Sequence, residues 1–507
     1  MNGLELFWVG LANAFSPLNF LMMLTGLVIG VLAGALPGIT MLNAIVLVLP
    51  FTYSMDIVPS LLLMTAVYGG GIFGGSITGI LFNIPGDPMN VPATWEGYAL
   101  HRKGHVAKAL GVAIMASALG GFLSCLAMTL VSPPFARVAL SFSATEYFAV
   151  VFLGLVSVVV INTRSVASSL VCLFLGMLLG TIGIDDTFGS ARFTFNSRLL
   201  ETGINFTIVL IGLFAIGEVL EQLCERDKIP DQGLKERPKV SLMTPREVWA
   251  FKGPLLRGFG SGTMIGMIPG AGATVASFVS YGIERQVSRK PEEFGKGSWD
   301  GLNATSSAIN ASTGGAMIPL LTLGIPGSGA TAVMMGAFLM HGIQPGPLLF
   351  DKAPESVYTI FAGMILCNLI MIFAGWVCSK FFSELMRVPE SIMGAFIIVF
   401  CFVGAYALRN DTSDLWYMAF FGVLGYFMRR YRLPIPPLVL GIILGPLAER
   451  YFLTAMIASN NDVSVFFTRP VSAGILLVSI GMLFWPLLQA RMNRRKAAVQ
   501  AADGAVS

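Results

Sequence analysis

The chain has 507 residues, of which 55% are hydrophobic and only 12% are charged. A soluble domain usually carries about twice that charged fraction, so the composition excludes an ordinary soluble protein. The net charge of +4 indicates little by itself, and the positions of the charges say more.

Long uncharged runs mark the predicted membrane crossings. Six of them reach or approach the ~20 residues that span a bilayer core; they are 18–36, 109–136, 166–184, 356–379, 391–408 and 471–490. Three shorter runs could also cross, namely 148–161, 204–217 and 415–428. Backbone polar groups in lipid must be satisfied internally, and runs this continuous indicate helices rather than a closed barrel. We expect an all-α polytopic membrane protein with roughly 11–12 transmembrane helices.

Two proline-glycine pairs, Pro37–Gly38 and Pro85–Gly86, interrupt the apolar sequence of the first half. Proline removes a helix hydrogen bond, and glycine permits backbone shapes that other residues resist. Each pair therefore predicts that one helix ends at membrane depth and that another, broken or re-entrant, begins after it. A single pair of this kind would more often be a simple kink.

The second half repeats these breaks in the same order. Pro269–Gly270 follows Pro37–Gly38 at an offset of 232 residues, and Pro326–Gly327 follows Pro85–Gly86 at an offset of 241 residues. The nine additional residues fit a charged insertion at 284–296. Two matched pairs in one order indicate an internal duplication, and four breaks at matched offsets favour a role in forming a binding site.

Glycines at a spacing of four residues precede the first break of each half. They are Gly26, Gly30 and Gly34 in the first half, and Gly258, Gly262 and Gly266 in the second. This spacing is typical of close helix packing, which would position the adjacent breaks.

A polar stretch near the middle of the chain separates two halves. The predicted domains are a first transmembrane repeat half at 1–224, a polar cytoplasmic connection at 225–252, a second repeat half at 253–490 and a cytoplasmic C-terminal tail at 491–507.

Basic residues orient the chain, because they collect in cytoplasmic loops. Clusters at 429–432 and 491–496 predict a cytoplasmic C-terminus, and the absence of Lys and Arg before Arg102 predicts a periplasmic N-terminus. The charges that flank the breaks predict opposite orientations for the two halves, as in the inverted repeats of secondary transporters.

Polar groups in or beside the breaks are the candidates for binding. A half-helix that starts at a break directs free N–H groups and a partial positive charge into the bundle, which suits a carboxylate. Unwound carbonyls and hydroxyls suit a coupling ion such as Na⁺, and its candidate ligands are Asn83, Asp87, Asn310 and Ser312. For Asp87 the alternatives are a cation ligand or proton carrier and a helix N-cap.

The sequence gives no support to enzymatic chemistry. The histidines His101, His105 and His341 form no usual metal-ligand pair, and no phosphate-binding loop occurs. The six cysteines have no metal-like spacing. We therefore expect no catalytic residue, no cofactor and no metal other than a coupling Na⁺.

The paired breaks with their flanking glycines resemble the large membrane (permease) subunit of the tripartite tricarboxylate transporter family, over nearly the whole chain. The resemblance implies a binding-protein-dependent secondary transporter of the bacterial inner membrane. Its partners would be a periplasmic solute-binding protein and a small membrane subunit of about four helices, with no nucleic acid. It would take up citrate-like tricarboxylates or other small carboxylates by coupling to Na⁺ or H⁺.

The same resemblance implies that the substrate binds where the two repeats face each other. The substrate-binding candidates are Pro37, Gly38, Thr40, Asn43, Pro85, Gly86, Pro269, Gly270, Gly272, Thr274, Pro326, Gly327, Ser328 and Thr331. Two other classes of function stay open from the residues alone: a channel or passive carboxylate exporter that uses the same broken helices, and a membrane scaffold without transport of its own.

Overall fold

The computed structural model describes residues 3–36, 40–161, 166–185, 189–224, 240–385 and 390–484. The chain forms two compact units: unit 1 is Met1–Ser141 with Ile204–Arg432, and unit 2 is Phe142–Gly203 with Leu433–Ser507. In chain order the helices are α1 (Gly3–Ala14), α2 (Pro17–Ala35), α3 (Met41–Thr52), α4 (Ile57–Phe82), α5 (Val91–Arg102), α6 (Val106–Leu140), α7 (Ala144–Ile161), α8 (Val166–Gly180), α9 (Arg198–Glu201), α10 (Phe206–Leu210), α11 (Gly217–Cys224), α12 (Pro245–Ala250), α13 (Lys252–Gly266), α14 (Gly272–Val287), α15 (Trp299–Leu323), α16 (Gly329–Met340), α17 (Leu349–Lys352), α18 (Pro354–Leu385), α19 (Glu390–Arg409), α20 (Ser413–Arg430), α21 (Ile435–Ala458), α22 (Val465–Thr468) and α23 (Pro470–Phe484).

Short elements complete the described chain. Pro88–Asn90 and Pro291–Glu293 are 3-10 turns, and Ile211–Ile216 is a π-helical segment between α10 and α11. The strands β1 (Gly183–Ile184) and β2 (Ala191–Arg192) pair antiparallel.

The described residues confirm the predicted class of an all-α polytopic membrane protein. Among them, α2, α4, α6, α18 and α21 are long and apolar enough to cross a membrane, and six shorter apolar helices accompany them. The uncharged run 166–184 differs from expectation, because α8 ends at Gly180 and the chain continues into β1. The hydropathy of the sequence does not reveal this helix end, because the residues after Gly180 are also uncharged. The total of 11–12 crossings stays a prediction.

The internal duplication is visible in how the helices of unit 1 pack. A Cβ atom at Gly30 of α2 would overlap the carbonyl oxygen of Val67 on α4, and one at Gly262 of α13 would overlap that of Ala308 on α15. The other glycines keep the same register: Gly26 meets Leu63, Gly34 meets Gly71, Gly258 meets Ala304 and Gly266 meets Ser312. Each contact between α2 and α4 therefore has an equivalent contact between α13 and α15. The glycines of the two contacts differ by 232 residues and their partners by 241 residues. Glycine is required there because the two backbones touch.

The helices α3 and α14 are the returning limbs of two re-entrant hairpins. Residue numbers rise together along the contacts of α2 with α4, so these two helices run parallel. The intervening α3 must therefore run back from the end of α2 to the start of α4, and α14 does the same between α13 and α15. The tip of the second hairpin is the predicted break at Pro269–Gly270. The predicted break at Pro37–Gly38 lies outside the described residues.

The long helices α4 and α15 run in opposite directions. They meet near their middles, where Asn310 Nδ2 donates to the carbonyl oxygen of Gly69 at 3.4 Å. Helix α5 packs on Ile80 near the end of α4, while its Glu96 accepts a hydrogen bond from the N–H of Ser298 beside the start of α15. The end of one long helix therefore lies level with the start of the other. The two halves are inverted relative to each other within unit 1.

The helices α6 and α18 pack on the opposite half. Ser124 of α6 donates to the carbonyl oxygen of Ala311 on α15 at 2.5 Å, and Gly375 of α18 packs on Phe73 of α4. Unit 1 consequently contains parts of both sequence halves. The predicted domain boundaries at 224 and 253 stay a prediction, and 225–239 and 491–507 lie outside the described residues.

Unit 2 contains α7–α9, α21–α23 and the β hairpin. Gly176 of α8 packs against the backbone of Leu438 on α21. Arg192 on β2 forms ion pairs with Asp185 at 3.0 Å and with Glu449 of α21 at 2.5 Å. The ion pair with Glu449 connects β2 to α21, and the one with Asp185 connects β2 to the end of β1.

Candidate functional site

Asp87 ties the break at Pro85–Gly86 to the start of α3. Its Oδ2 accepts a hydrogen bond of 3.0 Å from the N–H of Met41, the first residue of α3. The residue is only 7% exposed. Thr40 caps the same helix end, because its Oγ1 accepts from the N–H of Asn43 at 3.2 Å. A carboxylate at the positive end of a helix is a favourable arrangement.

This contact bears on both predicted roles of Asp87. The residue precedes the 3-10 turn Pro88–Asn90 but makes no side-chain cap there, and it caps α3 across the break instead. The start of α3 therefore already holds an internal carboxylate. The N–H of Gly86 donates to the carbonyl oxygen of Gly75 at 3.2 Å, which holds the break against α4. A role in ion or proton transfer stays a prediction.

The two breaks of the second half also contact each other directly. The N–H of Gly270 donates to the carbonyl oxygen of Gly327 at 3.0 Å. Gly270 has a φ of 82°, a conformation that favours glycine. Pro326 and Gly327 are buried, whereas Pro269 is half-buried. In the second half the hairpin tip thus meets the break that follows α15, and in the first half the start of α3 meets the break that follows α4.

Helix α16 begins with a reciprocal capping box. The Ser328 side chain accepts from the N–H of Thr331, and the Thr331 hydroxyl accepts from the N–H of Ser328 at 2.8 Å. Both hydroxyls were predicted to line the site, and both are engaged in starting the helix.

Tyr68 joins the two halves at the breaks. Its hydroxyl lies 3.2 Å from Ser328 Oγ, and the residue is 1% exposed. It projects from the middle of α4 to the second break of the other half. Sequence reasoning did not find this residue, because its partner lies 260 positions away and one tyrosine in an apolar helix carries no pattern.

The start of α14 differs from those of α3 and α16. Ala271 at its N-cap makes no side-chain cap, and Gly272 has a φ of 59°. Thr274 in the first turn is exposed. The Cβ of Ser328 lies 3.9 Å from where a Cβ of Gly272 would stand. Among these three helix starts, α14 alone has no capping side chain.

The predicted ion ligands other than Asp87 lie apart from the breaks or serve as local structure. Asn83 is exposed and ends α4 with a φ of 61°, just as Gly324 ends α15 with a φ of 70°. Ser312 donates to the carbonyl oxygen of Ile309 at 2.7 Å and packs against Gly266.

Two of the predicted site residues are buried asparagines with unsatisfied oxygens. Asn43 on α3 is 5% exposed and Asn310 on α15 is fully buried. The Oδ1 atom of each has no hydrogen-bond partner among the described residues. Such an oxygen is costly unless something else occupies it.

Glu96 is a second buried acid that the sequence did not reveal. Its carboxylate accepts hydrogen bonds from the Tyr281 hydroxyl at 2.7 Å and from the N–H groups of Gly295, Gly297 and Ser298 at 2.6, 2.9 and 2.6 Å. The three N–H groups belong to the predicted insertion and the turn after it. Glu96 therefore fastens α5 of the first half to the second half.

The described residues contain no group of three or more His, Cys, Asp or Glu side chains that could hold a metal ion.

Comparison with known proteins assigns the chain to a family. The family model described as the tripartite tricarboxylate transporter TctA family matches residues 20–440, which include all four breaks. The chain belongs to this family. It is also 35% identical, over 488 residues that cover 96% of the chain and 97% of the relative, to the "Uncharacterized 52.8 kDa protein in TAR-I ttuC' 3'region" of Agrobacterium vitis. A shorter protein of the same organism, the "Uncharacterized protein in TAR-II ttuC' 3'region", is 35% identical over 234 residues, 46% of the chain and 97% of that relative. No solved structure matches.

Membership of the TctA family confirms the resemblance seen in the sequence. It identifies the chain as a component of a tripartite tricarboxylate transporter and a multi-pass membrane protein, and the family is one of transporter components rather than enzymes.

Proposed function

We propose that the chain is the permease subunit of a binding-protein-dependent secondary transporter in the bacterial inner membrane. It takes up citrate-like tricarboxylates or other small carboxylates by coupling their movement to Na⁺ or H⁺. It works with a periplasmic solute-binding protein and a small membrane subunit. The C-terminus is cytoplasmic and the N-terminus is periplasmic.

The observation that carries this proposal is that the hairpin of each half is hydrogen-bonded to the break that follows the long helix. Met41 is bonded to Asp87 in the first half, and Gly270 is bonded to Gly327 in the second. The bond between Tyr68 and Ser328 connects the first half to the second. Inverted repeats with broken helices that meet inside the bundle are the arrangement in which secondary transporters bind substrates.

The start of α14 is the best place for a substrate carboxylate. Its N–H groups carry no side-chain cap, Thr274 adds an exposed hydroxyl, and Ser328 lies next to Gly272. Anions bind at helix N-termini because the free N–H groups and the helix dipole both favour negative charge. The start of α14 needs to neutralise only part of the negative charge of a tricarboxylate, because hydroxyls and a bound cation supply the remaining contacts.

Uptake of labelled citrate tests the proposal. The chain is reconstituted in proteoliposomes with its small membrane subunit, and the solute-binding protein is added outside. We expect accumulation that depends on an inward Na⁺ or H⁺ gradient and on the binding protein.

Each alternative function predicts a different result in that assay. A channel or passive exporter would equilibrate citrate without regard to either gradient. A scaffold would give no flux above that of empty liposomes. Either outcome contradicts the proposal, provided that the three proteins are recovered together in the liposomes.

A further inference from the structure

Three polar side chains, which we call the polar row, follow one face of α15. Asn303, Ser306 and Asn310 are three and four residues apart, so they lie above one another on successive turns of the helix. All three are fully buried. The Oδ1 atoms of the two asparagines and the Oγ atom of Ser306 have no hydrogen-bond partner among the described residues. Three unsatisfied polar atoms on one buried face point to a ligand.

The polar row leads from the first turns of α15 to its midpoint. Thr313, three residues beyond Asn310, lines a small cavity among α2, α4, α15 and α18. At about 1.5 Å per residue, α15 rises about 15 Å between Asn303 and Thr313. That distance is about half the thickness of the hydrocarbon core of a bilayer.

The chemistry of the polar row fits water. Each asparagine Oδ1 accepts hydrogen bonds, and the Ser306 hydroxyl both donates and accepts. Side chains on successive turns lie about 5–6 Å apart, a gap that one water molecule bridges with two hydrogen bonds of about 2.8 Å. The partners that the row has among the described residues are sulfur atoms and a backbone carbonyl, all of them neutral. An ion in the row would lack a counter-charge there, which makes it far more costly than water.

Open space lies at the inner end of the polar row. Asn310 Nδ2 donates to the carbonyl oxygen of Gly69 at 3.4 Å. A Cβ atom added at Gly69 would meet no neighbouring atom within 4 Å. Protein interiors are close-packed and leave few gaps of this size. Gly69 also lines the small cavity, which has space for about one water molecule.

Met243 covers the outer end of the polar row. The residue is 5% exposed, and its Sδ lies 4.0 Å from Asn303 Nδ2. It belongs to residues 240–244, an extended segment that we call the strap. The strap lies against α6, because the N–H of Ser241 donates to the carbonyl oxygen of Ala107 at 2.9 Å.

The far end of the strap is held by exposed groups. Thr244 and Glu247 form the capping box that starts α12, and Glu247 forms an ion pair with Lys108 of α6 at 2.6 Å. Both side chains of this ion pair are partly exposed. Exposed ion pairs contribute little to stability, and segments held in this way open locally at a low free-energy cost.

We propose that the polar row holds a file of water molecules and that Met243 closes its outer end. When the strap lifts, the file joins the solvent on that side of the membrane, which is cytoplasmic in the proposed orientation. The inner end lies beside Gly69, the neighbour of the Tyr68 that contacts Ser328 at a break. For its role this inference rests on the proposed transport function, since water at that point lowers the cost of moving a charged solute through the bundle.

Hydroxyl-radical footprinting of the purified full chain in detergent tests the water file without substrate. X-ray radiolysis forms radicals from water, and these oxidise methionines within their reach. Met371 contacts Asn310 and is fully buried, and Met23 on α2 is equally buried and serves as the control. We expect Met371 to be oxidised several-fold faster than Met23. Equal oxidation rates would overturn the water file.

Thiol labelling tests the closure by Met243. Ser306→Cys is made in a Cys224→Ser background and treated with the cationic reagent aminoethyl methanethiosulfonate. We expect labelling to become at least about tenfold faster when Met243→Ala is added, because labelling follows the fraction of molecules that are open. Met243→Leu keeps the volume of the side chain and should label as slowly as the chain with Met243.

Ser307→Cys is the matched control position. Ser307 is also fully buried on α15, but its hydroxyl donates to the carbonyl oxygen of Leu255 at 2.9 Å and lies outside the polar row. We expect Met243→Ala to leave labelling at position 307 unchanged. Equal acceleration at positions 306 and 307 would overturn the closure, and so would unchanged labelling at position 306.

Uptake separates failure of this inference from failure of the proposed function. If gradient-driven citrate uptake is observed while Met371 and Met23 are oxidised equally, the water file is wrong and the function stands. If oxidation and labelling follow the expectation while the proteoliposomes show no gradient-driven uptake, the water file and its closure stand and the proposed function is wrong.

Discussion

Asn310 Nδ2 lies 3.4 Å from the carbonyl oxygen of Gly69, and these two residues occupy equivalent positions in the two halves of the chain. A contact between residues related by the repeat offset can occur only where the halves meet about their local two-fold axis. Helices α4 and α15 therefore cross each other at this point. The contact between Tyr68 and Ser328 lies next to it, because Tyr68 precedes Gly69 on α4.

The first prediction concerns the glycine contacts that hold each re-entrant hairpin. Gly262→Ala should destabilise the protein by about 1–3 kcal/mol, because its Cβ would overlap the carbonyl oxygen of Ala308. Gly260→Ala on the same helix has open space around its Cβ and is the matched control. The measurement is the melting temperature of each purified variant. Equal melting temperatures would show that α13 and α15 do not pack as described.

The second prediction concerns Asp87. Asp87→Asn keeps an oxygen that can accept from Met41 but removes the negative charge at the start of α3. We expect the Na⁺ and pH profiles of uptake to change, at a cost in stability of about 0.3–1 kcal/mol. The exposed Asp56, changed to Asn, is the control. Unchanged Na⁺ and pH profiles in Asp87→Asn would leave the residue with a capping role only.

The third prediction concerns the contact between the halves at the breaks. Tyr68→Phe and Ser328→Ala should each slow citrate uptake, and the double variant should be no slower than the worse single variant. The coupling energy from a double-mutant cycle on stability should be about 0.5–1.5 kcal/mol. Strict additivity in both uptake and unfolding would contradict the hydrogen bond between the two hydroxyls.

The fourth prediction concerns Glu96. Glu96→Ala leaves three backbone N–H groups of the 295–298 turn without their buried acceptor and should cost about 3–5 kcal/mol. Glu96→Gln keeps two lone-pair sites and should cost less. Glu293→Ala changes an exposed acid of the same turn region and should be nearly neutral. Unfolding of the three purified variants gives the comparison, and equal stabilities for Glu96→Ala and Glu293→Ala would refute the role of Glu96.

The sequence was sufficient to predict the breaks and the duplication, because both depend on local residue types. Proline and glycine act on their own backbone, and a repeat offset can be read without knowing any contact. The offsets 232 and 241 also relate the contacts of α2 with α4 to those of α13 with α15, because both sets of contacts depend on the repeated glycines. The insertion at 284–296 could be placed, but its contact with Glu96 could not.

Residues whose partners lie far along the chain were not predictable. Tyr68 meets Ser328 across 260 positions, and Glu96 meets Ser298 across 202. Neither has a local pattern that distinguishes it from its neighbours. Asp87 was recognised as an acid at membrane depth, but its contact with Met41 depends on the hairpin that returns α3 to the break. The end of α8 at Gly180 was missed because composition does not change there.

Substrate protection of a cysteine at the start of α14 tests the central claim that small carboxylates bind at the breaks. The measurement uses Thr274→Cys in a Cys224→Ser background, because Cys224 is the exposed cysteine among the described residues. A second chain with Val463→Cys in the same background, exposed in unit 2, is the control. The rate of maleimide labelling is followed with and without citrate in the presence of Na⁺. The account predicts that citrate slows labelling at position 274 several-fold and leaves position 463 unchanged. Labelling at position 274 that is indifferent to citrate, in a variant that still takes up citrate, would contradict the account.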